Sequence, residues 1–264
     1  MTDAFSVQNR VIAITGGSGQ LGRRFTAALV ARGARVAVLD LQPPKNVQAR
    51  TDGVLFVESD VTSRDSLSGA LAEITRKWEV PHGLINNAAL DSPPGSPASE
   101  NGPFEDFPLE SWTRAIDVNL TGAFLACQVF GGAMAEAGRG SIVNVSSIYG
   151  VVSPDQRIYE YRRAGGDTFF KPVAYSASKS GLLNLTRYLA TYWAPRGVRV
   201  NTLTLGGVFN DQDPRFLEGY CAHVPLGRMA DEREYEGPIL FLCSDASSYM
   251  TGSNLVVDGG WTAW

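Results

Sequence analysis

The 264-residue chain is short of the residues that several common chemistries require. It has two histidines, His82 and His223, so a histidine-based metal site or a Ser-His-Asp triad has little to build from. Its three cysteines, Cys127, Cys221 and Cys243, are odd in number and show no metal-ligand spacing. They fit reduced thiols in a cytoplasmic protein rather than a disulfide framework. Lysine is scarce: Lys45, Lys77, Lys171 and Lys179 are all of it. The net charge of −4 speaks against general nucleic-acid binding. No apolar run reads as long enough to span a membrane, and the opening MTDAFSVQNR lacks a signal-like apolar core. No metal site, internal repeat or low-complexity tract emerges.

What is present is an apolar fraction of 44%, enough for one large α/β domain. Arg10 to Thr15 is a short β-branched run that ends in glycines, and it reads as a buried strand. Gly16-Gly-Ser-Gly-Gln-Leu-Gly22 follows, then a helical pattern over 23–32. Strand, glycine-rich turn and helix together aim backbone N–H groups at a phosphate. The next strand, 33–40, ends in Asp40, about 20 residues past the glycines, where a carboxylate binds both adenosine ribose hydroxyls and repels a 2′-phosphate. NAD(H) is therefore favoured over NADP(H), although Asp40 also suits a helix cap or a turn. Strands over 54–60, 83–89, 141–146, 198–205 and 254–258 alternate with helices over 63–78 (Ser63 as N-cap), 109–137 and 235–243, and with one that opens near Tyr175. Residues 91–108 read as a long proline-rich loop, and residues 207–230 as irregular.

Val173-Ala-Tyr175-Ser-Ala-Ser-Lys179 stacks a phenol and an amine four residues apart on one helix face. A phenol is a poor base at neutral pH, and a neighbouring cation stabilises its phenolate. The same pair also suits an exposed lysine beside a half-buried tyrosine. The rest of the chain decides between the two.

Thr15-Gly16 to Gly22, Asp40, Asp60-Val61, Asn86-Asn87-Ala88, Asn119, Asn144 to Ser147, Tyr175 with Lys179, Asn201 with Gly206, and Asp258-Gly259-Gly260 stand in the order and spacing of one family. From Val11 to Gly260 the chain resembles the short-chain dehydrogenases/reductases. The resemblance implies a single Rossmann-type domain over 1–264, with a doubly wound, seven-stranded parallel sheet. It implies that Tyr175 is the acid/base, that Lys179 lowers its pKa and bonds the nicotinamide ribose, that Ser147 bonds the substrate oxygen, and that Asn119 holds a relay water. Gly16, Ser18, Gln20, Leu21, Asp40, Asp60, Val61, Asn87, Ala88, Tyr175, Lys179, Gly206 and Val208 would hold the cofactor. A homotetramer or homodimer through helices 109–137 and 173–194 is implied as well.

Four departures stand out. Gln20 occupies a usual glycine position, with Gly19 one place earlier; Ala89 replaces a glycine; Leu205 replaces the proline before Gly206; and Asn210 falls where a threonine often meets the carboxamide. Ser147 and Tyr175 lie 28 positions apart, wider than the family norm, so an insertion near 153–172 must leave and return close to the substrate. That segment carries Arg157, Arg162, Arg163, Lys171, Tyr159 and Tyr161. Such donors suggest a substrate with hydroxyls, a carboxylate or a phosphate, with Ser147, Tyr149, Arg157, Arg162, Tyr175 and Asn210 binding it. The segment also suits a solvated insert or a subunit contact. With the ending Asp258 to Trp264, it resembles the branch found in bacterial surface-sugar and flagellin-modification pathways. Residues 207–230, with Tyr220, His223 and Arg228, are expected to form a substrate lid. The reading is an NAD-dependent alcohol/ketone oxidoreductase of carbohydrate-type substrates. The alternatives are a 3-oxoacyl thioester reductase, which Asp40 and the net charge disfavour, and a non-catalytic dinucleotide-binding sensor or scaffold.

Overall fold

The computed structural model describes residues 3–43, 53–91 and 100–264. Seven parallel strands form one sheet in the order β3-β2-β1-β4-β5-β6-β7. They are β1 (Val11–Thr15), β2 (Arg35–Asp40), β3 (Val54–Glu58), β4 (Gly83–Asn86), β5 (Gly140–Ser147), β6 (Val198–Leu205) and β7 (Asn254–Val257). This is the Rossmann-type sheet expected from the alternating pattern. Both faces are covered, so the strands are apolar throughout rather than alternating with polar residues. Val11 and Ala13 of β1 face one core, with Phe130, Met134 and Trp193. Ile12 and Ile14 face the other, with Phe25, Leu29, Tyr235 and Ile239.

The helices are α1 (Gln20–Ala31), α2 (Arg64–Lys77), α3 (Leu109–Glu136), α4 (Glu160–Ala164), α5 (Val173–Trp193), α6 (Pro214–Cys221) and α7 (Glu236–Cys243). Ser63 caps α2 as expected, accepting from the Ser66 N–H at 3.2 Å. Helix α3 is one continuous rod, but it widens to π-type turns at Asp117–Thr121 and Cys127–Gly131. By length and composition it is apolar enough to cross a membrane, contrary to expectation, yet half of that window is buried inside the fold. Phe130 and Met134 of this helix are spent on the core below it. The segment 207–230 is not irregular throughout: Asp213 caps α6, and Pro214 at its first position presets the turn. Residues 92–99 of the expected proline-rich loop lie outside the described residues.

A row of buried polar side chains ties the centre together. Asn86 Nδ2 donates to Asn144 Oδ1 at 2.8 Å, and Asn144 Nδ2 donates to Thr186 Oγ1 at 2.8 Å. Thr202 Oγ1 donates to the same Thr186 oxygen at 2.7 Å. The row crosses β4, β5, α5 and β6, so removing its middle member strands partners on both sides. Asn144→Ala should cost about 1–3 kcal/mol and several degrees of Tm. An unchanged thermal melt would show that the row is not structural.

Candidate active site

The sheet grows outward from β1 in both directions, so a crevice opens beyond the ends of β1 and β4. Thr15, at the end of β1, closes its floor: its hydroxyl accepts from Asn87 N at 3.1 Å and Ala88 N at 3.2 Å. Asn87 Nδ2 returns a bond to Gly16 O at 2.9 Å. The turn after β1 needs glycine for space. A Cβ on Gly16 would meet the Ala88 backbone at 2.7 Å, and one on Gly22 would meet Gly16 O at 2.3 Å. Gly19 has ordinary backbone angles as the N-cap of α1. Gln20 therefore costs the turn nothing, and it lines the cleft.

No side chain caps α1, and no acidic residue lies in its first turn. Its first N–H groups are thus left for an anion, as a dinucleotide pyrophosphate requires. Asp40 accepts from Ser18 N at 3.0 Å, which fixes its carboxylate beside the same turn. The Ser18 hydroxyl itself donates to Gln42 O at 2.7 Å. These residues fit a dinucleotide with free ribose hydroxyls.

From there one cleft of about 1380 Å³ runs across the strand ends. Gly16, Gln20, Leu21, Asp40, Asp60, Val61, Asn87, Ala88, Gly206, Val208 and Asn210 line it together with Ser147, Tyr149, Arg162, Tyr175 and Lys179. The meeting of Ser147 with Tyr175 and Lys179 depends on Gly150. A Cβ there would sit 2.7 Å from the Lys179 carbonyl, so only glycine lets α5 approach the end of β5. Ser146 Oγ then bonds Lys179 O at 2.8 Å.

The electrostatics differ from the expectation. Lys179 Nζ donates to Val145 O at 2.8 Å and lies 5.8 Å from the Tyr175 ring centre. Burial pushes Lys179 down to about 8. Burial also pushes the Tyr175 phenol well above its usual value; the Asp91 charge adds to this, and a bond with Ser147 pulls the other way. One of the ammonium's three hydrogens goes to that carbonyl, and within the protein alone desolvation is the largest influence on the phenol.

Asn119 and the arginines of the insertion have partners of their own. Asn119 Oδ1 accepts from Leu90 N at 2.7 Å, while its Nδ2 donates to Leu90 O at 2.9 Å and Ser178 Oγ at 3.1 Å. Its side chain pins the chain beyond β4. Arg157 does not line the cleft. Its side chain is 83% exposed, and it folds back onto Asp155 two residues away. Arg162 does line the cleft, but it is paired with Asp167 and lies over the Phe169 ring at 3.9 Å.

Sequence reasoning missed an aromatic wall. Tyr149, Tyr159, Phe169, Phe216, Tyr220 and Trp261 pack together, joining the insertion, α6 and the C-terminal turn. The Trp261 ring centre lies 4.4 Å from that of Tyr220, with the planes tilted by 30°, whereas Trp264 is exposed. Clustered aromatics in 153–172 and 216–220 were the available signal. Also missed was the ion pair of Lys171 with Asp91, 80 positions away in the chain.

A family model described as enoyl-(acyl carrier protein) reductase matches residues 18–262. The chain is 34% identical to a trans-4-hydroxycyclohexanecarboxylate dehydrogenase of Sinomonas cyclohexanicum, over 97% of this chain and 94% of that one. It belongs to the short-chain dehydrogenase/reductase family. An NAD-dependent glycerol dehydrogenase of Listeria innocua is 30% identical, over 98% of this chain and 96% of that one. A solved short-chain dehydrogenase of Leptospira borgpetersenii with bound NAD+ superposes with a TM-score of 0.88 at 35% identity, covering 99% of this chain and 97% of that one. Ser147, Tyr175 and Lys179, expected from the resemblance, lie together in the cleft of this family member.

Two tests follow from the geometry. Gly22→Ala drives a Cβ into the Gly16 carbonyl, and NADH affinity should fall roughly tenfold or more; unchanged affinity would show that the turn tolerates the methyl. Lys179 must carry its charge in the folded state below pH 8, at a cost that disappears as pH rises toward 10.5, where both folded and unfolded chains hold it neutral. Lys179→Met should therefore raise Tm at pH 7, and raise it less at pH 10. An equal change at both pH values would assign the effect to packing.

Proposed function

We propose that this protein is an NAD(H)-dependent dehydrogenase that interconverts a secondary alcohol and a ketone on a neutral, polyhydroxylated, sugar-like substrate. The observation that carries the reading is the continuity of the cleft. One end holds the glycine turn and Asp40; the other holds Ser147, Tyr175 and Lys179 against the aromatic wall. When bound, NAD+ supplies the hydride acceptor. Tyr175, as the phenolate, takes the substrate hydroxyl proton and as the phenol returns it in the reverse direction, and Ser147 donates to the same oxygen as charge develops there. Asp40 selects the cofactor by accepting from ribose hydroxyls.

Charge at the substrate end supports a neutral substrate. The described residues of the cleft include six carboxylates (Asp40, Asp60, Asp91, Asp167, Asp211 and Asp213) against four cations (Arg162, Lys171, Lys179 and Arg215). Arg162, Lys171 and Arg215 are each already paired with an aspartate. A phosphate or carboxylate would enter against this field, whereas hydroxyls are welcome. The CH faces of a ring would lie against the aromatic wall. The glycerol dehydrogenase relative, by its name, acts on a polyol, which supports this class. The surface-sugar branch has no observation behind it that polyols do not share. An acyl-carrier-protein reductase would want a basic docking face, which a net charge of −4 does not favour. Exposed Phe124 on α3 and Tyr188 and Tyr192 on α5 support self-association through those helices, as a dimer or tetramer. Buried, unpaired Cys127 and Cys243 fit a cytoplasmic setting.

Tryptophan-fluorescence titration should give NADH binding tighter than NADPH by more than about tenfold. Tighter NADPH binding would remove Asp40 from its role. Tyr175→Phe should lower turnover by about 10²–10⁴ with NADH affinity kept. A variant as active as the parent would overturn the acid/base assignment.

A further inference from the structure

Lys171 comes from the inserted segment and ends beside the reacting tyrosine. Its side chain is only 10% exposed. Its Nζ lies 4.9 Å from the Tyr175 ring centre and 5.9 Å from that of Tyr149, nearer to Tyr175 than Lys179 is. Its carboxylate partner, Asp91, follows the end of β4 and keeps 47% of its side chain exposed. Neither residue has a part in the reaction described above.

The placement of both is built. Gln156 grips the backbone of residue 171 on both sides: Oε1 accepts from Lys171 N at 2.9 Å and Nε2 donates to Lys171 O at 3.2 Å. Asn119 grips the backbone of Leu90, next to Asp91, in the same two-handed way, at 2.7 and 2.9 Å. Phe170 N adds a bond to Asn101 O at 2.6 Å. A side-chain amide, half-buried in Gln156 and buried in Asn119, is committed to the backbone at or beside each charged residue. A surface ion pair worth little to stability would not need such anchoring.

We propose that Asp91 and Lys171 form a diol-binding pair, which receives the hydroxyl neighbouring the one oxidised at Tyr175. This rests on Tyr175 being the reacting group. An ammonium has three donors and a carboxylate about four acceptor sites, so the ion pair between them does not exhaust either function. A hydroxyl placed against the pair donates to Asp91 and accepts from Lys171, and each contact is charge-assisted. The pair is neutral as a unit, so it adds no attraction for an anion. A carboxylate substrate would have to displace Asp91 from Lys171 and then sit beside the displaced charge. The ligand class is therefore a neutral vicinal diol, and a mono-alcohol leaves the pair unanswered.

The test compares trans-1,2-cyclohexanediol with cyclohexanol, which share a ring and differ by one hydroxyl, and adds trans-4-hydroxycyclohexanecarboxylate as an anionic probe. The parent should prefer the diol over cyclohexanol in kcat/KM by roughly tenfold to a hundredfold. In Lys171→Met and Asp91→Asn that ratio should fall toward one. Thermal melts and the double variant guard against misfolding from an unpaired Lys171. A ratio unchanged in the variants overturns the proposal. So does a parent that prefers the carboxylate and loses that preference in Lys171→Met, since the site would then receive anions. Calorimetric binding of the diol, with and without NADH, reads the pair without turnover. If no alcohol is oxidised but diol binding weakens in both variants, the dehydrogenase reading fails and the pair stands. Equal diol binding in the parent and both variants, or none in any, overturns the pair.

Discussion

The structure depends on a seam at the middle of the sheet. Strands β1 and β4 pair side by side, but the chain leaves them toward opposite edges, so their ends would part without a tie. The Thr15 hydroxyl supplies it by accepting two backbone N–H groups from Asn87 and Ala88. Thr15 itself is buried, and removing its hydroxyl would take the acceptor from both donors at once. The tie also sets the width of the crevice, and so the distance between the phosphate turn and everything on β5 and α5. Cofactor binding and chemistry are thus both referred to one short threonine contact.

The site itself is costly to keep. Lys179 is buried, and its amine donates to the Val145 carbonyl. Tyr175 is held away from ionisation by burial and by Asp91. Neither arrangement favours the fold. Both place groups where a small change in the local field alters their protonation, which is what a proton-transfer site requires.

Much of this was legible in the sequence. Regular β–α alternation gave the sheet, because a parallel sheet covered on both faces needs apolar strands throughout. Asp40, Ser63 and the Tyr175–Lys179 spacing could be read because each acts through neighbours close in the chain or through a turn of fixed geometry. Helix α6 was hidden because it is only eight residues long, and its start rests on Asp213 and Pro214, which equally mark a loop. Arg157 misled because charge in an insertion near the site looks like a ligand contact, while Asp155, two residues earlier, had already taken it. The pairing of Asp91 with Lys171, and the packing of Trp261 on Tyr220, join segments far apart in the chain. No local period or propensity encodes such contacts.

The two amides that hold the substrate end, Gln156 and Asn119, both bond main-chain atoms rather than the side chains beside them. The anchor is therefore indifferent to what residues 171 and 91 are. Either side chain could be exchanged through descent while the loops that carry them stay where they are. Selectivity in this protein is mounted like an interchangeable bit in a fixed chuck, so a lineage could change its substrate by one or two replacements without rebuilding the frame.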